Sequence, residues 1–575
     1  MMSLRFILYF TITASLFAQS GIDVTGRISL RTMNTDYNEK SKLKQDSIPA
    51  DQYSKTTLIP GLQQSLNLAL FARTSSLDIT LLGDLKNDDW NRLNSFERIN
   101  RLSLNARFGG NHELIVGDFF ETGSEFYIQS REIRGGKLHL VFDNLWNNHS
   151  YLETDITGGR IERAFAIGDR LQDLYRQYET SGQYRRYFAS GGFQLGDRDL
   201  FSIGMNYLYA TDDSSSITGS INEPLANQNA GVNGALLFWN RRIRIFGEGF
   251  LSKKDTLTAK SVDDYAWKGG MDLRIKYFKL IAFYYRIGYD YYTAGYPFLN
   301  NDRQGFEMNG AYQFPGIVII SAEAEQYDDN LENNSFLPVT TTRLAYAGFT
   351  TNFRGLPEVK LKLGFRDDNS ATITDNYENT IRTEKLSLTY EGRIAYNFGS
   401  NRLSASAMYI DLDDKSLLAA GTPLGTEQFI SSLNFYSRPA KSFFISGGGV
   451  YSRLLMTNAQ DNKNIYLYES SRWDIFPRKL KLETTLTYIK NDAANGGYQD
   501  LLSNYYQLGA EFSIEYFFSP NISFKVIGGT DQRHMGYNTE KAQQVIADPD
   551  YGVMFFNSNE SYNGLKYGAE INWIF

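Results

Sequence analysis

The last nine residues of the chain, YGAEINWIF (567–575), decide the fold. Side chains of an extended chain alternate between two faces, and here one face is almost wholly apolar and aromatic. That face carries Tyr567, Ala569, Ile571, Trp573 and Phe575. Soluble proteins usually end in a mobile polar tail. An apolar strand that ends on an aromatic ring therefore points to a different environment.

The first twenty residues, MMSLRFILYFTITASLFAQS, have the features of a secretory signal peptide. Arg5 is followed by an apolar run from Phe6 to Phe17, which is too short for a membrane span, and then by small residues. We predict a signal peptide over 1–20 and one mature domain over 21–575; the alternative is a buried first strand or helix. Because the chain has no Cys, a lipoprotein anchor, a disulfide framework and a thiolate metal site are excluded.

The composition favours a membrane β-barrel. The net charge of −7 and the lack of clustered basic residues argue against a nucleic-acid partner. After residue 20 no apolar run approaches the roughly 18 residues of a membrane helix. A content of 39 Tyr and 39 Phe is nevertheless unusual for a water-soluble chain. Only helices and closed barrels pair every backbone group in hydrocarbon, which leaves the barrel.

Strand and connection lengths support this class. Many alternating segments run on the order of 11–15 residues, longer than the usual globular strand of about 5–6. Tight turns rich in Gly, Pro, Asn and Asp alternate with longer polar loops. They lie at 73–76, 108–111, 143–148, 195–199, 239–242, 278–280, 314–317, 353–358, 398–401, 437–442, 476–479 and 518–521. The pattern predicts a single antiparallel up-and-down transmembrane barrel of about 26 strands, within a range of 24–28, with short periplasmic turns and long extracellular loops.

Aromatic residues precede many of the tight turns and predict a periplasmic aromatic girdle. They are Phe108, Trp239, Phe314, Phe353, Phe398, Phe476 and Phe518. The last strand, which we expect to close the barrel against 21–33, ends at the same level. YGAEINWIF also resembles the C-terminal β-signal of bacterial outer-membrane proteins, which the barrel-assembly machinery recognises. This resemblance implies a Gram-negative-type outer membrane, with its lipids and lipopolysaccharide as the surroundings.

One long connection, 157–184, is a candidate for narrowing the pore. Within it, DRLQDLYRQYE (169–179) has apolar residues at helical spacing, which predicts a short helix that folds into the lumen. The alternatives are a helix packed on the outer rim or an extra strand. The segment 529–561 is a second candidate for an inward-folded gating loop. The pore-constriction candidates are Leu171, Leu174, Tyr175, Tyr178, Arg185 and Arg186.

Acidic pairs recur where strands enter the long loops, and they predict an acidic outer rim. The pairs are Asp212 and Asp213, Asp263 and Asp264, Asp328 and Asp329, Asp367 and Asp368, and Asp413 and Asp414. Such a rim would bind Ca²⁺ or Mg²⁺ through oxygen ligands or attract cations toward the pore. The simpler alternative is solvated strand-end Asp, which suits turns and blocks edge association.

The segment VGDFFETGSEFYIQSREIRGGKL (116–138) distantly resembles part of the barrel of fimbrial ushers, without the periplasmic domains of that family. None of the four His residues has a metal-ligand spacing, and neither a nucleophile elbow nor a phosphate-binding loop occurs. We therefore expect no enzymatic activity and no cofactor.

Three functions remain open at this stage. The first is a porin-like channel for passive passage of hydrophilic solutes, since a barrel of this size has ample interior. The second is an export or secretion pore for a polymer or surface protein, which a periplasmic partner protein would favour. The third is a surface adhesion or receptor barrel that acts through its outer loops.

Overall fold

Alternating apolar and polar residues form strands throughout the chain, and each strand pairs with its neighbours. The computed structural model describes residues 23–39, 61–88, 99–166, 170–172, 177–179, 182–218, 223–256, 261–315, 317–332, 337–374, 380–417, 425–456, 461–494, 504–536 and 561–575. The predicted signal peptide, 1–20, lies outside them, as does most of 529–561. Among the described residues, no helix is long and apolar enough to cross a membrane.

Twenty-six strands form one antiparallel sheet that closes on itself. The first half of the chain contains β1 (Asp23–Glu39), β2 (Gly61–Arg73), β3 (Leu77–Asp88), β4 (Ile99–Phe108), β5 (His112–Glu121), β6 (Arg131–Asp143), β7 (Ser150–Glu162), β8 (Arg170–Gln172), β9 (Gln177–Glu179), β10 (Arg185–Asp197), β11 (Phe201–Asp213), β12 (Leu225–Phe238), β13 (Ile243–Thr256), β14 (Val262–Ile275) and β15 (Phe278–Ile287). The second half contains β16 (Arg303–Phe314), β17 (Val318–Asp329), β18 (Thr340–Thr351), β19 (Glu358–Ser370), β20 (Ile373–Thr374), β21 (Thr380–Ile381), β22 (Glu384–Phe398), β23 (Asn401–Asp414), β24 (Thr426–Ala440), β25 (Phe443–Met456), β26 (Asp461–Phe476), β27 (Leu480–Ala494), β28 (Tyr505–Ser519), β29 (Ile522–Met535) and β30 (Tyr562–Ile574).

The predicted fold class and strand number are confirmed. Consecutive strands pair in up-and-down order, and the short hairpins β8–β9 and β20–β21 lie outside the barrel sheet. All twelve predicted tight turns join consecutive strands, although the one predicted at 278–280 lies at 276–277. These turns share one end of the barrel with Asp23 and Phe575, and we call it the turn end. The opposite end is the loop end.

The final strand closes the barrel, as its alternation predicts. β30 pairs with β1 from Arg27 opposite Ile574 to Glu39 opposite Tyr562. Phe575 and Gly26 then exchange two backbone hydrogen bonds, of 2.8 and 3.0 Å. No strand edge remains at this junction, because the last and first strands satisfy each other's backbone groups.

Apolar side chains on the outer face form a belt around the sheet. Exposed members of the belt include Val232, Leu236, Leu361, Leu363, Leu433, Leu486, Leu508, Ile514 and Ile571. Leu66 is a partly exposed member. At the turn end, aromatic rings contact one another along the outer face. The ring centroids of Tyr312 and Phe314 lie 4.7 Å apart, and those of Trp573 and Phe575 lie 4.9 Å apart.

The interior is wide enough for a water-filled path. Strands spaced about 4.8 Å apart and tilted by about 40° give a circular barrel of this strand number a backbone diameter of about 50 Å. Barrels with fewer strands than this one already contain an aqueous channel or a plugged lumen. What occupies the interior therefore decides the function.

Two sequence-based expectations about local structure are wrong. The described residues of the segment 169–179, which are 170–172 and 177–179, are not helical, because they pair as the short antiparallel hairpin β8–β9 with Leu171 opposite Tyr178. The expected loop 529–561 begins too early, since β29 continues to Met535. Helical spacing over one or two turns is weak evidence, and here backbone pairing between the two halves of the segment overrides it.

Candidate pore constriction

Two connections fold from the loop end into the lumen. Loop A comprises residues 122–130, between β5 and β6, and loop B comprises residues 288–302, between β15 and β16. The tip of loop A reaches about half-way along the wall. There, Glu125 and Phe126 contact Lys268, which lies in the middle of β14 and points inward.

Ser124 shapes the turn of loop A. Its carbonyl accepts hydrogen bonds from the backbone N–H groups of Tyr127 (3.0 Å) and Ile128 (2.9 Å). Its hydroxyl oxygen accepts a third hydrogen bond, from the N–H of Phe126 (3.2 Å). A serine that bonds to nearby backbone groups favours a turn over a strand. Two aromatic residues are thereby held at the tip of the loop.

Loop B is closed at its base. The N–H of Asp302 donates to the carbonyl of Gly288 (3.1 Å), and a carboxylate oxygen of Asp264 accepts the N–H of Asp290 (2.8 Å). A Cβ on Gly288 would lie 2.0 Å from that carboxylate, so a larger residue here would displace the Asp264 side chain from its contact with Asp290. Both loops return to the barrel through a left-handed residue, Ser130 (φ 49°) and Asp302 (φ 58°), which turns the chain sharply back into the wall.

The two loops contact each other directly. Ile128 and Gly295 form a parallel bridge, and the N–H of Gln129 donates to the carbonyl of Gly295 (3.2 Å). The Thr293 hydroxyl donates to the carbonyl of Tyr127 (2.7 Å). A Cβ on Gly295 would lie 2.2 Å from that Tyr127 carbonyl oxygen. The close approach of the loops therefore depends on glycine at this position.

A hydrophobic core lies between the loops and the inner wall. Phe126 is fully buried, and its ring meets those of Phe250 and Tyr291 edge-on at 6.4 and 6.3 Å. Burying one such side chain contributes about 1.5–3 kcal/mol. The buried members of this core are Phe119, Phe126, Tyr127, Ile128, Ile133, Phe188, Leu208, Ala210, Phe250, Ala266, Tyr285, Ile287, Tyr291 and Ala294. They come from the two loops and from β5, β6, β10, β11 and β13–β15, which form one sector of the barrel.

Polar side chains of β12 and β13 hold the backbone of loop B. The carbonyl oxygen of Tyr292 accepts hydrogen bonds from the Nδ2 groups of Asn227 and Asn229, each at 3.1 Å, and from the hydroxyl of Ser252. Asn227 also accepts the N–H of Ala294 through its Oδ1 (2.8 Å). The amide thus satisfies a donor and an acceptor of a buried irregular segment, as buried backbone groups require.

Charged groups at the edge of the core are paired. Lys268 lies 2.9 Å from Glu125 of loop A and 3.0 Å from Glu248 of β13. Arg186 Nε lies 2.7 Å from Asp212, and its Nη1 donates to the Tyr292 hydroxyl (3.3 Å). An ion pair therefore holds loop A to β14, and the hydrogen bond from Arg186 holds loop B to β10.

Burial raises the pKa of three tyrosines of the loops. It raises the pKa of Tyr127 to about 12, and it raises the pKa values of Tyr291 and Tyr292 as well. A neutral phenol can donate, and the Tyr127 hydroxyl donates to the carbonyl of Tyr207 on β11 (3.1 Å). The Tyr291 hydroxyl donates to the carbonyl of Phe126, which adds a third hydrogen bond between the loops.

The remaining inner wall is polar and charged. On β17–β19, Lys362 Nζ lies 3.3 Å from Glu323 and 3.9 Å from the centroid of the Tyr346 ring. On β27–β29, Lys525 Nζ lies 2.8 Å from Glu483. Groups of both signs thus line these parts of the lumen, outside the sector that loops A and B cover.

The structure separates the six predicted constriction residues. Arg186 points inward and contacts loop B, while its neighbour Arg185 lies on the outer face with Tyr187, 3.4 Å from that hydroxyl. Leu174 and Tyr175, and the side chains of Leu171 and Tyr178, lie outside the described residues. Of the predicted set, Arg186 alone is described in contact with an inner loop, which is loop B.

The acidic pairs lie near strand ends at the loop end, as expected, but each pair is split between the two faces. On β11, for example, Asp212 points inward to Arg186, whereas Asp213 accepts a hydrogen bond from the Ser215 hydroxyl (2.6 Å). Consecutive strand residues alternate faces, so each pair supplies one carboxylate to the lumen side. The inward set is Asp212, Asp264, Asp329, Asp368 and Asp414, and the outward set is Asp213, Asp263, Asp328, Asp367 and Asp413.

Most of these carboxylates have local partners. Asp368 is 3.0 Å from Arg366, and Asp413 is 2.6 Å from Lys415. Asp329 accepts the N–H of Thr340 (2.7 Å). Within the part of the chain that the structure describes, no group of three or more His, Asp or Glu residues is arranged to hold a metal ion.

Sequence reasoning missed loops A and B as the inner segments. The alternation in 281–291 predicts an apolar face toward lipid, but β15 ends at Ile287 and its apolar face points inward under the loops. Two signals were available. One is the aromatic and glycine content of GYDYYTAGYPF (288–298), which is unusual for a solvated loop. The other is the pair of Asn residues at inward positions 227 and 229.

The antiparallel sheet is closed, and it has an outer apolar belt, an aromatic turn end and a polar interior. These features define an outer-membrane β-barrel. The chain therefore belongs in a Gram-negative-type outer membrane. No protein-family model matches the chain, and no curated protein matches it.

Solved structures similar to this chain are also outer-membrane barrels. The siderophore receptor PirA from Pseudomonas aeruginosa is 10% identical over 96% of this chain and 80% of its own, with a TM-score of 0.42. Wzi of Escherichia coli, a carbohydrate-binding barrel involved in capsule assembly, is 13% identical over 63% and 83%, with a TM-score of 0.32. The P pilus usher PapC is 9% identical over 96% and 99%, with a TM-score of 0.25. At these values the likeness transfers no ligand, partner or activity.

Proposed function

We propose that this protein is a porin-like, non-enzymatic channel for passive passage of hydrophilic solutes across the outer membrane, narrowed by loops A and B. The observation that carries the proposal is the unequal lining of the lumen. The loops and their hydrophobic core cover one sector, and the wall outside that sector bears charges such as Lys362 and Lys525. Hydrophilic solutes would pass along the charged side.

The loops are built to stay docked without a ligand. Their contact with the wall combines a hydrophobic core, hydrogen bonds to the Tyr292 carbonyl and the Lys268 ion pairs. A buried arrangement of this kind favours a fixed narrowing over a freely moving lid. The width of the open path should therefore change when the loops are forced apart.

The test is single-channel conductance in a planar bilayer for the wild type and two valine variants. In Gly295→Val the new side chain collides with the Tyr127 carbonyl and separates loops A and B. Gly249→Val is the matched control, because Gly249 faces outward on β13 and its Cβ would meet nothing nearer than 3.8 Å. We expect steady openings in the wild type, larger openings in Gly295→Val and no change in Gly249→Val.

Two other results would redirect the interpretation. A silent wild type that conducts only as Gly295→Val would mean a closed pore that waits for a partner, and the export function would move ahead. Silence in the wild type and in Gly295→Val, with both correctly inserted, would contradict the channel and leave a surface receptor or adhesion barrel.

A further inference from the structure

A groove crosses the lipid-facing surface of β26–β29, remote from the inner loops in the chain. Its volume is about 440 Å³. Its outward side chains lie in two neighbouring rows of the sheet register. One row consists of Glu469, Leu486, Ala510 and Thr530, and the row nearer the loop end consists of Leu467, Tyr488, Leu508 and Gln532.

These side chains are on the outer face of the barrel. Leu486 and Leu508 are 50% and 47% exposed and belong to the apolar belt. The alternate residues of the same strands point inward, where Lys525 pairs with Glu483. Since Glu469 is the register partner of Leu486, its carboxyl also points toward lipid.

The position of Glu469 is unfavourable for a carboxyl group without a ligand. It lies at the middle of β26, and it has no hydrogen bond or ion pair with any described residue. Other outward charges on these strands lie close to the loop end and are paired, as Asp461 is with Arg453 of β25 (2.9 Å) and Lys490 with Asp492 (2.6 Å). A polar group in hydrocarbon is costly unless it is hydrogen-bonded, and it commonly marks a functional site.

The shape of the groove favours a narrow occupant. Ala510 forms the floor, and the larger side chains of its cross-strand partner Leu486 and of Leu508, two residues along β28, border it. A flat protein surface would rest on these larger side chains and leave the floor empty, whereas an acyl chain is thin enough to reach it. At the far end, the Thr530 hydroxyl already donates to the carbonyl of Gly564 (3.0 Å), whereas the Glu469 carboxyl is the charged acceptor of the groove.

We propose that this groove binds one acyl chain of an outer-membrane lipid, and that a hydroxyl group on that chain hydrogen-bonds to the carboxyl of Glu469. The leucine walls bind the hydrocarbon, and the carboxyl selects a hydroxylated chain over a plain one. This site does not depend on the proposed channel, because it faces the bilayer and shares no residue with loops A and B.

The experiment is native mass spectrometry of the purified full-length protein in mild detergent with two added phospholipids. One carries a hydroxyacyl chain and the other the same chain without the hydroxyl. We expect the wild type to retain the hydroxylated lipid about fivefold better, the selectivity of one net hydrogen bond. Glu469→Leu should retain both lipids equally, and Glu469→Gln should keep a preference. Ala510→Phe fills the floor and should lose both lipids.

The matched control is Ala322→Phe, the same substitution at an outward position of β17 on another part of the barrel. It should bind both lipids as the wild type does. Heat-dependent electrophoretic mobility verifies that each variant is a folded barrel. Equal retention of lipid by the wild type and Ala510→Phe would overturn the site, and a wild type without preference for the hydroxyl would overturn the role of Glu469.

Discussion

Asn227 joins the barrel wall to loop B through both ends of its amide. Its Nδ2 donates to the carbonyl of Tyr292, and its Oδ1 accepts the N–H of Ala294. Asn227 is 1% exposed, so water cannot replace either partner. A single amide can thus fix a loop that has no regular secondary structure, because it supplies one donor and one acceptor in the geometry that a neighbouring strand would offer.

Asn227→Ala should loosen loop B. The N–H of Ala294 would lose its acceptor, and an unsatisfied buried group costs about 1–3 kcal/mol. Hydrogen exchange of peptides from loop B should accelerate by roughly tenfold or more. The control is Asn233→Ala on the same strand and face, where the described contact is with Asn206 of the wall (3.4 Å). Unchanged exchange in Asn227→Ala would contradict the anchoring role.

At the scale of the element, two strands with similar alternation have opposite relations to the bilayer. The apolar rows of β30 face lipid, whereas Tyr285 and Ile287 of β15 face the lumen and are buried under loops A and B. Period-two alternation identifies the strand and its two faces. It does not identify which face is inside, because the lumen of this barrel contains a hydrophobic core of its own.

The assembly role of β30 remains a prediction, and it can be tested with paired substitutions. We expect Trp573→Ser with Phe575→Ser to lower the amount of folded protein in the outer membrane several-fold, because both rings belong to the predicted assembly signal. Refolding of the same variant in detergent should change much less. Levels are measured by immunoblotting of outer-membrane fractions.

Tyr312→Ser with Phe314→Ser is the control for this experiment. These residues have the same spacing and form a comparable ring pair, with centroids 4.7 Å apart, at the turn end of β16. Equal losses from the two double variants would mean that the rings of β30 act only as membrane anchors and carry no assembly signal.

At the scale of the whole molecule, closure between β30 and β1 converts a long sheet into a barrel. This contact joins residues more than 500 positions apart, such as Ser29 and Glu570, whose side chains hydrogen-bond at 3.0 Å. Every other pairing in the described barrel sheet joins strands that follow each other in the chain, apart from the hairpins β8–β9 and β20–β21 that lie within two of the connections. Closure is therefore the strand pairing whose loop entropy is largest.

A disulfide across this seam should form only in the described register. The chain has no Cys, so Leu30→Cys with Ile571→Cys creates a single pair at directly opposite positions. Opposite residues of antiparallel strands have Cα atoms about 4.5–5.5 Å apart, which suits a disulfide. We expect oxidation to change the electrophoretic mobility of the unfolded protein, and reduction to reverse the change.

Leu30→Cys with Asn572→Cys is the control for register. Asn572 is adjacent to Ile571 but points to the other face of the sheet, so this pair should not crosslink. Crosslinking of the control pair, or of neither pair, would show that β1 and β30 meet in a different register.

The sequence alone was sufficient for the fold class, the number of strands and the way the barrel closes. These features depend on local signals: the alternation of side chains, the tight turns and the terminal segment YGAEINWIF. Each is set by a few adjacent residues, and the need to pair every backbone group in a membrane then leaves one architecture.

The tertiary structure alone decided what fills the lumen. Loops A and B are separated by more than 150 residues in the chain, and their contact through Ile128 and Gly295 leaves no local pattern in either segment. The placement of Glu469 in a lipid-facing groove likewise depends on four strands coming into register. Such contacts arise from packing between distant segments, which periodicity within one segment cannot specify.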